Sequence, residues 1–410
     1  MMFTGTIIWM VCLGFGAIVY AGFLWMMGLG LKRLRRRQRM IIGREGLASE
    51  SSYPPLPPPA IAGGALRVSV VIAARNEAQC MGRTLDSLLA QAYPADRMEI
   101  MVVDDRSDDE TAAIVESYSR RDPRIKLLRQ KSVDSGASPK KQALEAGIAA
   151  STGEIIVTTD ADCIPPREWL KTMVANFAPE TGMVAGQARF ELPPHAPLWQ
   201  RLQALDFQSQ NVAAAGLIAA GSPFNCSGAS LSFRRAAYDA VGGWRGVRHL
   251  ASGDDELLMA KMHRAKWKIV AAIGAAAVVK TRPPATVREL WEQRIRWGSK
   301  VRVYNPVQKF LLSGTFIFLL ALSASPVVLL FSVPLAELVV KLWLSFSALK
   351  LLHDCAIMSR GEKLFQERIP ILEFLLAEII HPAAIVILAL GGMFGRYEWK
   401  GRRYSLGKAS

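Results

Sequence analysis

Asp160-Ala-Asp162 sets two carboxylates one residue apart, immediately after the run Glu154-Ile-Ile-Val-Thr-Thr159. On a turn leaving a strand, such a pair can face one divalent cation, because hard ions take oxygen ligands and complete their shells with water and phosphate. A solvated turn is the plain alternative, since Asp-x-Asp recurs by chance. Asp104-Asp105-Arg106-Ser107 follows another apolar run in the same manner, and an Asx turn or helix N-cap would use the same residue types. Asp254-Asp255-Glu256 follows a Ser-Gly turn. Capping explains part of it, but three adjacent acids are costly unless solvent or a cation stabilises them. Gln293-Arg-Ile-Arg-Trp297 lies in a basic stretch with Trp291, which fits anion binding or anchoring at a membrane interface, where Trp is common. A cation site, a carboxylate to accept a proton and an arginine fork together suit displacement of a phosphate-bearing leaving group.

These strings fall at the ends of predicted strands. Apolar runs of strand length occupy 68–74, 99–103, 125–128 and 154–159, and helical patterns occupy 81–91, 109–118 and 140–150. Such alternation predicts an α/β fold with a mostly parallel, doubly wound sheet. Ligands of such sheets bind at the carboxyl ends of the strands, where the acidic pairs stand.

The chain has 410 residues, 51% of them hydrophobic, and 50 Lys+Arg against 35 Asp+Glu give a formal net charge of +15. That apolar content excludes a disordered polyelectrolyte. Cysteines at 12, 80, 163, 226 and 355 show no paired spacing, and the histidines lie far apart, which excludes a disulfide scaffold and a zinc site of short spacing. Residues 5–31 are uncharged and followed by Lys32, Arg33, Arg35, Arg36, Arg37 and Arg39. The stretch is long enough to span a bilayer. A cleaved signal would start basic and be shorter, so an anchor with its C-terminal side in the cytoplasm is expected. No aromatic residues interleave the basic run; topology and anionic lipid explain it, and no nucleic-acid partner is expected. Pro54, Pro55, Pro57, Pro58 and Pro59 mark a stiff spacer.

The expected divisions are a transmembrane anchor at 1–31, a basic and Pro-rich linker at 32–65, a cytosolic domain with interfacial helices at 66–304, a C-terminal transmembrane region at 305–395 and a basic tail at 396–410. Within the fourth, 310–331, 333–352 and 371–391 read as spans, the second weakened by Glu337 and Lys341. Three spans after an inward anchor would leave the basic tail outside, against the positive-inside rule. One of the last two is therefore expected to be re-entrant or interfacial, with Pro382 as a break in the third.

In order, Val68-Ser-Val-Val-Ile-Ala-Ala-Arg-Asn-Glu77, Val103-Asp-Asp-Arg-Ser107, Asp160-Ala-Asp162, Asp254-Asp255 and Gln293-Arg-Ile-Arg-Trp297 resemble the motifs of glycosyltransferase family 2. More narrowly they resemble its membrane-bound branch, with cellulose, chitin, hyaluronan and poly-N-acetylglucosamine synthases and ceramide glucosyltransferases. The resemblance covers 68–300, and Glu398-Trp-Lys-Gly-Arg-Arg-Tyr404 is similar to a string of bacterial members. It implies an A-type glycosyltransferase (GT-A) nucleotide-binding fold flanked by transmembrane helices, in a multi-pass protein of the cell membrane whose catalytic domain faces the cytoplasm. It also implies that Ala74, Arg75, Glu77, Asp104 and Asp105 hold the nucleotide and that Lys140, with Lys141 adjacent, contacts the donor. Asp160 and Asp162 would hold Mg2+ or Mn2+, Asp162 more strongly. Asp255 matches the catalytic base, and Gln293, Arg296 and Trp297 match the motif that binds diphosphate and shapes the acceptor end. Asp254 and Gly228, the latter in the loop 224–231, are implied on the acceptor side. Two positions depart from the pattern: Ala73 stands where many members have Pro, and Asp254 where Glu is usual.

One base and no second nucleophile suit a single displacement with inversion, a stereochemistry that rests mainly on the resemblance. The expected function is membrane-bound transfer from a nucleotide sugar, a UDP-sugar by preference, to a lipid, lipid-linked or growing polysaccharide acceptor. Partner membrane proteins are an added expectation for chain synthesis. The alternative is a non-catalytic sugar-nucleotide sensor or scaffold, which loss of a catalytic acid would favour; Asp162, Asp255 and Arg296 are all present. Segment 197–235 is expected to build the acceptor site, though its run 213–221 reads equally as a buried core helix. Trp and apolar positions paired with Arg288, Arg294, Arg296, Lys300 and Arg302 give 287–303 an interfacial pattern.

Overall fold

The computed structural model describes residues 2–45, 65–132, 134, 136–331, 335–394, 396–399, 402–405 and 408–409; the proline-rich spacer lies outside them. The chain begins with α1 (Met2–Glu45), β1 (Val68–Ala74), α2 (Ala78–Leu89), β2 (Met98–Asp104), α3 (Thr111–Ser119), β3 (Ile125–Arg129), α4 (Pro139–Ala150) and β4 (Ile155–Thr158). There follow α5 (Trp169–Val174), β5 (Thr181–Ala185), β6 (Gln187–Phe190), α6 (Leu198–Ala220), β7 (Leu231–Arg234), α7 (Arg235–Ala240), α8 (Glu256–Arg264), β8 (Lys268–Ala271) and β9 (Val278–Thr281). The last part holds α9 (Val287–Gly298), α10 (Pro306–Phe331), α11 (Ala336–Phe365), α12 (Ile371–Phe394), β10 (Arg396–Trp399), β11 (Arg402–Ser405) and β12 (Lys408–Ala409).

β1 and β2 are almost wholly buried, which is why they read as unbroken apolar runs. Seven strands form one sheet in the order β3-β2-β1-β4-β7-β5-β8. β1 pairs in parallel with β2 on one side and β4 on the other, Ala74 facing Asp104 and Val71 facing Thr158. Connections leaving β1 and β4 diverge, and a crevice opens at their carboxyl ends. β7 runs antiparallel beside β4 with Leu231 against Thr158, which brings the turn entering β7 beside the turn leaving β4. Thr158 Oγ1 donates to the Gly228 carbonyl (3.2 Å) and Thr159 Oγ1 to that of Ala229 (2.8 Å). The sheet is therefore the mixed, mostly parallel one expected, with long apolar helices before and after it.

Among the described residues, Thr4–Met40, Pro306–Phe331 and Ile371–Gly392 are long and apolar enough to cross a membrane. α11, which covers most of the weak span at 333–352, is not among them; it carries Lys341, Lys350 and Asp354. α1 does not stop at the basic run. Arg33 donates to the carbonyls of Ala219 (3.2 Å) and Ala220 (3.3 Å), and Arg37 to Asn176 Oδ1 (2.8 Å). Arg33 thereby satisfies carbonyls left open at the end of α6, so these two arginines clamp α1 to the sheet domain. The helices cross at Gly30 and Gly216, where a Cβ on Gly30 would run into the Gly216 carbonyl.

α12 is tied down at both ends. Glu373 pairs with Arg201 of α6 at 2.8 Å, and Gly391 and Gly392 lie against Trp291, Ile295 and Gly298 of α9. β10, β11 and β12 form an antiparallel meander over the expected basic tail; within the string 398–404, positions 400 and 401 are outside the described residues.

Candidate active site

A cavity of 780 Å³ opens at the carboxyl edge of the sheet and is lined by Ala74, Arg75, Glu77, Asp105, Lys140, Asp160, Asp162, Gly228, Asp254, Asp255, Gln293, Arg296 and Trp297. The structure thus brings together nearly every residue singled out in the sequence. Asp104 does not line the cavity; it is buried at the end of β2, where Oδ2 accepts the Ser107 N–H at 3.4 Å. Its neighbour Asp105 takes both Arg106 Nε (3.2 Å) and a terminal guanidinium nitrogen (3.0 Å) on Oδ1. Arg75 donates to the Asp105 carbonyl at 3.0 Å, tying the turns after β1 and β2 together.

Asp160 and Asp162 leave β4 on one turn, and their carboxylates lie with the Cys163 thiol within 4.8 Å of one another. Burial, with Asp162 and Asp160 adding to it, pushes the Cys163 thiol well above its ordinary value. It stays protonated, so the donors are the two carboxylates, a set that suits a hard divalent cation. Thr281 Oγ1 donates to Asp162 Oδ2 at 3.2 Å and helps fix its direction.

Lys140, at the start of α4, places Nζ 2.8 Å from Asp160 and 3.1 Å from Asp254. Burial alone would lower its ammonium, but Asp160 and Asp254 outweigh that and hold it above its ordinary value. Burial likewise works to raise the Asp254 carboxyl, and Lys140 more than reverses the effect. Asp254, expected on the acceptor side, shares Lys140 with the Asp160 turn. Asp255 caps α8, accepting Glu256 N–H on Oδ1 (2.8 Å) and Gly228 N–H on Oδ2 (3.0 Å).

Near the end of α9, Trp297 stacks on Phe207 of α6 with centroids 5.7 Å apart, and the Arg294 guanidinium lies 4.9 Å over the Trp297 ring. Arg294 also pairs with Asp206, and Gln203 donates to Gln293 at 3.4 Å. α6, from the segment expected to build the acceptor site, therefore forms a wall of the cavity and also packs on α1.

Three supports escaped sequence reasoning. Lys141 is buried and donates to the carbonyls of Val247 (3.1 Å), Leu250 (2.6 Å) and Ser252 (2.9 Å), holding the loop that delivers Asp254 and Asp255. Glu256 is buried against Lys300 (3.0 Å) and Tyr304 (3.1 Å), and burial raises its carboxyl despite Lys300. Phe207 offers the stacking face for Trp297. The third acid after Asp255 and the lysine three residues after Trp297 were the only sequence signal for the second support; backbone acceptors such as those of Lys141 leave none.

Residues 66–299 match a family model described as "Glycosyltransferase like family 2". The chain is 32% identical over 239 residues to a beta-monoglucosyldiacylglycerol synthase of Synechocystis sp., covering 57% of this chain and 47% of that protein. It is 26% identical over 241 residues to a poly-beta-1,6-N-acetyl-D-glucosamine synthase of Staphylococcus epidermidis, covering 56% and 53%. The chain thus spans about half the length of the curated relatives it matches. A mannosyltransferase from Pyrobaculum calidifontis, solved in complex with GDP-Man and Mn2+, superposes with a TM-score of 0.53 at 20% identity, over 86% of this chain and 98% of that one. That likeness shows the GT-A-like fold.

Proposed function

The chain belongs to glycosyltransferase family 2, and on that premise we propose that it is a membrane-bound inverting transferase of the branch with the Gln-x-x-Arg-Trp motif. It would move a sugar from a nucleotide-sugar donor to an acceptor presented at the membrane. The observation that carries this reading is one cavity that joins Asp255, the Asp160–Asp162 turn and Arg296 to side chains of α1, α10, α11 and α12.

The nucleotide rests against Ala74, Arg75, Glu77 and Asp105, with Asp104 bracing the turn. Asp160 and Asp162 would hold Mg2+ or Mn2+, which supplies positive charge to the leaving diphosphate. Arg296 adds a permanently charged fork on the same phosphates, and Gln293 and Trp297 shape the mouth beside it. Lys140 keeps Asp160 and Asp254 from repelling each other. Asp255, oriented by two backbone N–H groups, accepts the proton of the acceptor hydroxyl as the new bond to the anomeric carbon forms. With Asp255 as the base, a single displacement would invert that carbon, as the family resemblance implies.

A lipid acceptor is favoured by the Synechocystis relative, whose name states a monoglucosyldiacylglycerol product; the poly-N-acetylglucosamine synthase relative keeps a growing polysaccharide as the second reading. α1 and α10 would cross the bilayer with α11 beside them, while α12, tied to α6 and α9 at its two ends, would lie along the membrane face. That arrangement leaves the sheet domain and the basic tail on the cytoplasmic side. A reporter fused after Ser410 and active only outside the cytoplasm would overturn it.

The function is tested on purified protein in nanodiscs with host lipid extract, a panel of UDP- and GDP-sugars, and Mn2+ or Mg2+. Metal-dependent nucleotide release from one donor, lost in Asp255→Asn, supports transfer. Saturable nucleotide binding without release from any donor would favour a sensor.

A further inference from the structure

Arg294 stands inside the string Gln293-Arg-Ile-Arg-Trp297 but does not share the cavity wall with Gln293, Arg296 and Trp297. Helix geometry explains the division. Positions two apart in α9 point to nearly opposite sides, whereas positions three apart are neighbours. Arg296 therefore faces the cavity, and Arg294 turns inward against α6, beside Trp297. An arginine that anchored α9 at a membrane interface would keep its head in water. Arg288 does so, with 79% of its side chain exposed, whereas the side chain of Arg294 is 8% exposed.

Two neighbours hold that buried guanidinium. The Asp206 carboxylate of α6 pairs with it, and the same carboxylate oxygen accepts Gln210 Nε2 at 3.0 Å. On the other side lies the indole of Trp297, with its ring centroid 4.9 Å from the guanidinium carbon. Trp297 in turn stacks on Phe207 at 5.7 Å, and Phe207 on Phe190 of β6 at 4.6 Å, with interplanar angles of 29° and 26°. Asp206 and Phe207 are consecutive, so α6 grips Trp297 twice, through the Phe207 ring and through Arg294. A buried ion pair adds little stability by itself, because desolvation offsets the attraction. We propose that Arg294, held by Asp206, is a positioning residue that fixes the indole of Trp297 at the acceptor end of the site without touching substrate. The proposal rests on the transferase reading above and names the residues that set its Trp297.

The chemistry suits arginine at this position. A guanidinium is planar, always charged and weakly hydrated, so it can lie against an aromatic ring and pair with a carboxylate at once. Lysine would keep a charge for Asp206 but present no flat group to the indole. Stacking on Phe207 does not make Arg294 redundant. Aromatic pairs are favourable over centroid distances of about 4.5–7 Å, so one stacked ring leaves the indole room to slide. A charge anchored by Asp206 adds the second point of attachment that removes this freedom.

The test uses the full chain in nanodiscs, with the donor it turns over and host lipid extract as the acceptor probe at rising mole fraction. Arg294→Lys is expected to lower kcat/KM for the acceptor about tenfold, the scale of a desolvated cation–π contact. Donor affinity by titration calorimetry and the melting temperature should stay at their wild-type values. Asp206→Asn is expected to shift the same acceptor parameter, and Asp206→Glu, which keeps the charge, to restore most of it. Long incubations with concentrated enzyme then compare Trp297→Leu with the double variant Arg294→Lys/Trp297→Leu. With the indole gone, the Arg294 exchange should change kcat/KM less than twofold. A wild-type acceptor kcat/KM in Arg294→Lys or Asp206→Asn overturns the inference while the transferase reading stands. So does an equal loss in both Trp297 backgrounds, or a loss of donor binding in Arg294→Lys that keeps step with activity. Nucleotide release by the wild type no faster than by Asp255→Asn overturns both.

Discussion

Asp255 Oδ2 accepts the backbone N–H of Gly228 at 3.0 Å, across the gap between the cap of α8 and the turn that enters β7. A second N–H, from Glu256, holds the other oxygen at 2.8 Å. The carboxylate therefore cannot swing, and a Cβ at position 228 would meet Asp254 at 3.2 Å and Asp255 at 3.5 Å, so glycine keeps that approach open. Asp255→Asn retains an oxygen for one of the two N–H groups but cannot take a proton from a hydroxyl. Its kcat is expected to fall by about 10²–10⁴-fold, with nucleotide binding by titration calorimetry retained. A variant as active as wild type would remove Asp255 from the chemistry.

Lys140 stands between two carboxylates that would otherwise face each other, Asp160 and Asp254. Removing one partner of such a pair leaves charge uncompensated, and Lys140→Met is expected to lose up to about 3 kcal/mol of stability when metal and donor are absent. A divalent cation at Asp160 and Asp162 would replace part of the missing charge. Mn2+ should therefore raise the melting temperature of Lys140→Met more than that of the wild type. Equal Mn2+ shifts in the two proteins would show that the cation and Lys140 do not share Asp160.

The strand ends were legible because each element that carries them has a strong local pattern. β1 occupies the predicted 68–74, and β2 and β4 differ from prediction by one residue at either end. Asp105, Asp160 and Asp162 stand just after such strands, and Asp255 stands directly before α8, so position in sequence nearly dictated position in space. Supports that act through backbone were not legible: nothing in the types of Val247, Leu250 and Ser252 says that their carbonyls face Lys141. The clamp made by Arg33 and Arg37 was hidden for another reason. Charge next to an apolar span already has an explanation in topology, and pattern alone does not show a second use. Within 333–352 the two lysines differ: Lys350 is buried between Asp354 and Glu378, whereas Lys341 pairs with Glu337 on the exposed face of α11, a distinction that residue type alone does not make.

α1 reaches the sheet domain through glycine. Gly30 and Gly216 bring the backbones of α1 and α6 together, and a Cβ on Gly216 would meet the Met27 carbonyl at 2.8 Å. Helix propensity favours alanine at both positions, but steric crowding against a backbone carbonyl cannot be relieved by turning a side chain. Gly30→Ala is expected to cost about 1–3 kcal/mol, as for overpacked interiors, and to lower activity by shifting α6. A methyl group on Gly22 of the same helix would meet no atom within 4 Å, so Gly22→Ala should be neutral or mildly stabilising. Thermal melts in detergent compare the two, and equal melting temperatures would contradict the close crossing.

Lys141 makes the enzyme sensitive to alkali in a way that unfolding does not imitate. Burial lowers its ammonium to about 8, against opposition from Asp254 and Asp255, from an ordinary value of 10.5. As pH rises through about 8 the folded protein loses this proton, and the 247–252 loop loses one of the three N–H donors that hold it. The unfolded chain keeps the proton until near 10.5. Between these values the unfolded state binds more protons, so this group makes stability rise with pH. Lys140 and Lys300, although burial lowers each, are held above their ordinary values by Asp160 and Asp254 and by Glu256 respectively, and they stay charged across the range. Activity is therefore expected to fall above pH 8 while the melting temperature does not fall on this account. Lys141→Met, which lacks the titrating group, should be less active at pH 7 and should lose the alkaline limb of the kcat profile. An unchanged limb in that variant would assign it to another group.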